Sequence, residues 1–251
     1  MIGVIARREL RALFTSPQAW IFLALSQVLL AWSFLSLVDQ YQTHLQPQLV
    51  RLNSSYGVTD LVVARFLSDP ALLLSLLLAA ALMSMRLLAD ERRGATLPLL
   101  LAAPVSSSQI VLGKYLAALG FGLVLVLLWA LMPLSLLLGT GIDLGRLLAA
   151  LLGLMLTAAV LMALALWISG LSAQPALAAL GTFMGGLLLM VVKQGAAGGD
   201  GGLFAYLSVL SHYDGFLAGR VSTGDLAYFL LLAGGLLALA IRRLDALRVQ
   251  P

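Results

Sequence analysis

Leu147–Val192 reads LLAALLGLMLTAAVLMALALWISGLSAQPALAALGTFMGGLLLMVV, 46 consecutive residues without Asp, Glu, Lys or Arg. A helix rising about 1.5 Å per residue needs roughly 20 apolar residues to cross about 30 Å of hydrocarbon, so this one stretch makes two crossings. The turn between them falls at Ser169-Gly170-Leu171-Ser172-Ala173-Gln174-Pro175, where small and polar residues precede a proline suited to a first helical turn. Outward from it, Ala12–Val38, Pro70–Met85, Tyr115–Ile142 and Leu226–Ile241 also lack charge. The chain therefore reads as an all-α membrane protein with six transmembrane helices, at about 17–38, 70–88, 115–138, 147–169, 175–192 and 225–241. Arg86, Arg242 and Arg243 lengthen the two short spans by snorkelling to the interface.

Composition agrees. Of 251 residues, 61% are hydrophobic and 10% charged, against about 45–50% and about 25% in a soluble domain. With no cysteine, the chain has no disulfide, thiolate metal site or cysteine nucleophile. Its two histidines, His44 and His212, are far apart in sequence, which argues against a metal site. The net charge of +4 would suggest nucleic acid in a soluble protein, but here orientation in the membrane explains it. Ten basic residues fall on the side of the termini and five on the other: Arg7, Arg8, Arg11, Arg86, Arg92, Arg93, Lys114, Arg242, Arg243 and Arg248 against Arg51, Arg65, Arg146, Lys193 and Arg220. The positive-inside rule then puts both termini in the cytoplasm. The first apolar run is too long for a signal-peptide core, and no small-x-small cleavage site follows it, so it reads as a retained span.

Little chemistry is on offer. The ionisable groups Asp39, Asp69, Arg86, Lys114, Arg146, Lys193 and Asp225 all sit at span ends, which argues against a proton relay at mid-membrane. Ile168-Ser169-Gly170 resembles a nucleophile turn only superficially, because no histidine or acid belongs to a neighbouring span. Leu112-Gly113-Lys114 lacks the upstream glycine and the following Ser or Thr of a phosphate loop. Gly120, Gly122, Gly181, Gly185 and Gly186 read as close-packing positions. No catalytic, cofactor-binding or metal-binding residue is assigned.

Two segments rise above this background. In residues 1–16, Ile2, Ile5, Ala6, Leu10 and Leu13 share one helical face and Arg7, Arg8 and Arg11 the other, as in a helix lying at the membrane interface. Glu9 falls within the apolar face, which a lipid-bound helix would not favour. Such a helix is either a positive-inside anchor or an elbow that docks a cytoplasmic partner. In the cytoplasmic loop 89–114, a charged cluster gives way to a short leucine run ended by Pro104, and Ser106 with Gln109 forms a capping box that starts the next helix. The exposed leucines have no core of their own to join and predict a protein partner surface.

The order Asp90-Glu91-Arg92-Arg93, Gly94, Thr96, leucine run, Pro104-Val105, polar residues, then Ile110-Val111-Leu112-Gly113-Lys114 resembles the ABC-2 type (type-2 ABC exporter) permeases. It looks most like their gliding-motility-associated and NosY-like branch. The resemblance covers nearly the whole chain, from Arg8-Glu9-Leu10 through six spans to Ser211-His212-Tyr213-Asp214-Gly215-Phe216, Gly219 and Asp225-Leu226-Ala227-Tyr228-Phe229. It implies a coupling helix between spans two and three that contacts a separate ATP-binding subunit, with Glu91, Arg92, Arg93, Thr96, Leu97, Leu100, Pro104 and Lys114 in the contact region. It also implies an elbow carrying Arg7, Arg8, Glu9 and Arg11, and short re-entrant helices before span six with Tyr213, Phe216 and Gly219 at an outer gate. The sequence departs from the pattern at Ala95-Thr96, where the family has Gly-Thr, and at Pro98, which moves the helix start towards Leu97. Residues 203–223 also fit a surface-lying aromatic belt, and Gly215 and Gly219 read as helix breaks.

The expected function is the permease subunit of an ATP-binding cassette transporter in the bacterial cytoplasmic (inner) membrane. It would move a substrate outward, or transmit force across the membrane. No cofactor is expected in this chain; ATP and Mg belong to the partner. Expected partners are two copies of the ATP-binding subunit, a second permease copy, identical or homologous, membrane lipid and an extracytoplasmic accessory protein, with no nucleic acid. A secondary transporter and a non-transporting scaffold are the alternatives.

Overall fold

A computed structural model describes residues 1–47, 49, 57–94, 105–195 and 208–249. Among the described residues every regular element is helical, and the elements group into eight helices: α1 (Ile2–Phe14), α2 (Pro17–Leu45), α3 (Thr59–Arg93), α4 (Ser107–Leu138), α5 (Leu144–Leu171), α6 (Pro175–Gly195), α7 (Val209–Leu217) and α8 (Thr223–Val249). Six of them, all but α1 and α7, are long and apolar enough to cross a membrane.

Local chemistry sets most of the starts. Pro17 and Pro175 open α2 and α6 from the first turn, where a missing N–H costs nothing. Ser106 caps α4 by accepting the Gln109 amide, and Asp143 caps α5 by accepting the Arg146 amide. Asp69 accepts the Ala71 amide just before Pro70. In sequence that pair reads as a span start, yet helix resumes on its N-terminal side at Thr59–Leu67, so Asp69-Pro70 is a break inside a longer α3. Similarly, α4 begins eight residues before the uncharged run at Tyr115, because Lys114 is turned inward instead of ending the helix at an interface.

α5 lies at the centre and is packed on by α3, α4, α6, α7 and α8. The most apolar windows of α3 and α5 are each 67% buried, against 22% for α2 and α6 and 17% for α8, so the last three form the rim. Trp20, Leu25, Val28 and Trp32 of α2 and Leu230 and Leu231 of α8 face outward, as lipid-facing side chains do. Glycines let the inner helices meet. A Cβ at Gly122 would touch Ala158 and Met162 of α5, and one at Gly181 would lie 3.0 Å from Ile168. Both termini lie at one end of the bundle, termed proximal here; the α4–α5 and α7–α8 turns lie at the distal end.

Candidate functional site

At the proximal end α1 lies along the first half of α4. Gly113 makes this possible, since a Cβ there would sit 2.8 Å from the Ile5 side chain and 3.2 Å from the Ile2 carbonyl oxygen. Ala117 is fully buried, and Gly120 faces Leu10 one turn further on. The apolar face of α1 is thus spent on protein, with Arg7, Arg8 and Arg11 exposed on the other side. The position of Glu9 follows from this packing. Its carboxylate accepts from Lys114 Nζ at 3.2 Å, while Glu91, from the last turn of α3, accepts from the same nitrogen at 2.7 Å. The Lys114 side chain is 2% exposed and the two carboxylates 22% and 24%, so one buried cation holds α1, α3 and α4 together.

Neighbouring bonds extend this joint. Arg86 Nη2 donates to Ser16 Oγ at 2.8 Å, fixing the α1–α2 corner to α3. Arg92 Nη1 donates to the Gly170 carbonyl at 2.8 Å, fixing α3 to the end of α5. One turn earlier, α3 widens into a π-helical turn at Met85–Ala89. Ser169 fills it: its hydroxyl donates to the Ser84 carbonyl at 2.5 Å and accepts the Leu88 and Ala89 amides at 2.9 and 3.0 Å. The serine that mimics a nucleophile turn in sequence is a buried backbone plug. Arg248, near the end of α8, donates to the Val105 carbonyl. The last described residues before position 95 thus belong to the turn that carries Glu91 and Arg92, and the first after 104, Val105, is held by α8.

The distal end is tied as closely. Arg146, at the start of α5, pairs with Asp60 of α3 and donates through Nε to the Leu217 carbonyl of α7 at 2.9 Å. Tyr213 donates to the Leu67 carbonyl at 2.9 Å, and His212 meets Asp225 of α8 at 2.6 Å while stacking on Tyr228 at 3.9 Å. Tyr213 and Phe216 are 1% and 0% exposed and press on Gly153, where a Cβ would lie 2.6 Å from the Phe216 Cβ.

Gly153 lies nine residues into α5, about 13 Å along its axis. From Arg146 inward, α7 runs antiparallel to α5 with its Ser208 end deepest, so it enters the bundle and is not a surface belt. Gly215 lies within α7 and leaves room for the Asp225 carboxylate; only Gly219, with φ of 78°, ends the helix.

A model of the ABC-2 family transporter proteins matches residues 4–241. The chain belongs to this family. Comparison with curated proteins gives no match. As an ABC-2 family protein it is the membrane subunit of an ABC transporter and a multi-pass membrane protein, and the family implies an ABC ATP-binding partner.

Set in this family frame, the residues singled out by sequence separate. Thr96, Leu97, Leu100 and Pro104 lie outside the described residues. Arg93 is exposed and Arg92 half-buried against α5. Glu91 and Lys114 turn inward to each other and to Glu9, so Lys114 offers no ammonium to another chain. Arg7, Arg8 and Arg11 remain available on the outer face of α1, whereas Gly219 lies against Arg146, and Tyr213 and Phe216 against Gly153 deeper along α5. The Lys114, Arg146 and His212 pairings escape sequence reasoning. Only Glu9, an acid on an apolar face, signals one of them.

Proposed function

We propose that this ABC-2 family subunit receives the stroke of its ATP-binding partner at residues 89–114 and at α1, and passes it through Lys114 to the six-span bundle. One observation carries the reading: the helices on either side of segment 95–104, α3 through Glu91 and α4 through Lys114, meet in a single buried joint that also holds α1 through Glu9. A push that moves the end of α3 at Glu91 would therefore load α4 at Lys114 and α1 at Glu9. ATP and Mg would act in the partner, two copies of which would serve two permease chains. Motion at the distal end, where α7 is clamped between α3, α5 and α8, would open an exit for substrate or pull on an extracytoplasmic protein. The order of motifs from Arg8-Glu9-Leu10 to Asp225-Leu226-Ala227-Tyr228-Phe229 supports a place in the gliding-motility-associated and NosY-like branch. The excess of Lys and Arg at the proximal end supports placing it in the cytoplasm, and a bacterial inner membrane as the home of the complex.

The test is Leu100→Asp, which sets a charge in a contact expected to be desolvated. Co-purification with the ATPase subunit should fall while the chain keeps its elution profile in detergent. A variant that retains the partner and full ATP turnover places the contact elsewhere. Wild-type chain isolated from its native membrane without a stoichiometric ATPase would favour a scaffold or a gradient-driven carrier.

A further inference from the structure

A groove of about 590 Å³ lies at the proximal end between α2, α3 and the first turn of α6. Its walls are apolar, with Phe22 and Leu25 from α2, Leu82 and Met83 from α3 and Phe121 from α4. Its mouth is polar and carries Gln18, Arg86, Asp90 and Arg93. Helix ends set the depth of each part. Gln18 is one residue from the start of α2, Pro175 opens α6, and Arg86 to Arg93 close α3, so the mouth lies at headgroup level. Leu25 lies seven residues further in, about 10 Å into the acyl region.

The charges at the mouth do not cancel. Arg86 gives one N–H to Ser16 and makes no ion pair among the described residues, and Arg93 is exposed. Against them stands the single carboxylate of Asp90. One net positive charge remains over an apolar slot, with guanidinium N–H groups that have no partner among the described residues, a combination that suits a phosphate ester bearing a hydrocarbon chain.

We propose that this groove binds an anionic phospholipid of the leaflet at the proximal end, with its phosphate on Arg86 and Arg93 and one acyl chain along Phe22, Leu25 and Leu82. The site shares Arg86 with the bonds that extend the Lys114 joint but does not rest on the coupling reading.

The full-length chain is reconstituted in phosphatidylcholine vesicles carrying a trace of photoreactive phosphatidylglycerol, or of photoreactive phosphatidylcholine with the same diazirine acyl chain. Labelling of the peptides spanning 18–25 and 82–93 should favour phosphatidylglycerol by about fivefold, the factor that one net charge near an anionic lipid gives. R86Q/R93Q should remove that preference and leave the label on lipid-facing Leu230 and Leu231 unchanged. Leu82→Trp, which fills the slot with both arginines intact, should lower labelling by both lipids and serves if the double variant does not fold. Equal labelling of the wild type by the two lipids overturns the proposal, as does a preference that survives R86Q/R93Q. Walls that neither lipid labels would show that protein, such as a second copy, covers the groove. Loss of the preference on adding inorganic phosphate, with total labelling unchanged, would make it a phosphate site and not a lipid site.

Discussion

Lys114 is a cation with two carboxylates and almost no water, and such a group is stable only while both partners stay. Lys114→Met leaves Glu9 and Glu91 facing each other with no counter-charge between them. Losing one side of a buried pair costs roughly 3–5 kcal/mol, and the partial solvation of both carboxylates puts this case near the lower end. Thermal unfolding in detergent should show the loss. Glu9→Gln should cost less, because Glu91 keeps the shorter contact. The double variant Glu9→Gln/Lys114→Met should then be less destabilised than the two single effects added together, since the residues share one interaction. Strict additivity would place the pair outside a common network. Ser169→Ala tests a different contact at the same end: the Leu88 and Ala89 amides and the Ser84 carbonyl lose the hydroxyl that bridges them, at about 1 kcal/mol or more for a buried hydrogen-bonding group removed.

At the scale of elements, α1 and α7 both dock through glycine. Gly113→Val drives a side chain into Ile5 and should free α1 from α4, exposing Glu9 and Leu10 to protease while the six spans persist. Gly153→Val sets a branched side chain against Phe216, an overpacking worth about 1–3 kcal/mol. Amide exchange in Val209–Leu217 should then quicken, with α5 itself unchanged. What the sequence shows at this scale depends on the range of the interaction. Caps and prolines act within a turn, so the starts near Pro17, Ser106 and Pro175 can be read directly. Asp69-Pro70 does open the helix at Pro70–Ser84, but the same pair gives no sign of the helical turns at Thr59–Leu67 before it. The Tyr213 and Arg146 clamps on α7 and the plug at Ser169 join residues 71 or more positions apart, and nothing in their local pattern marks them. Glu9 is the exception, because its place on an apolar face already requires a buried partner.

For the whole molecule, six spans fix both termini at one end, and the proposed orientation can be tested because the chain has no cysteine of its own. Val4→Cys, at an exposed position of α1, should react with an impermeant maleimide only in inverted or opened vesicles. Ser222→Cys, in the α7–α8 turn, should react in intact cells; the reverse pattern would invert the assignment. The buried joint also dictates an order of manufacture. Glu9 is made 105 residues before the lysine that receives it, and Gly113 and Gly120, on which α1 rests, follow just as late. A nascent chain thus carries an undocked amphipathic start, with an unpaired acid on its oily side, until its third span is complete. Membrane-insertion chaperones have that interval to recognise it, and a chain truncated before Ser107 never leaves it.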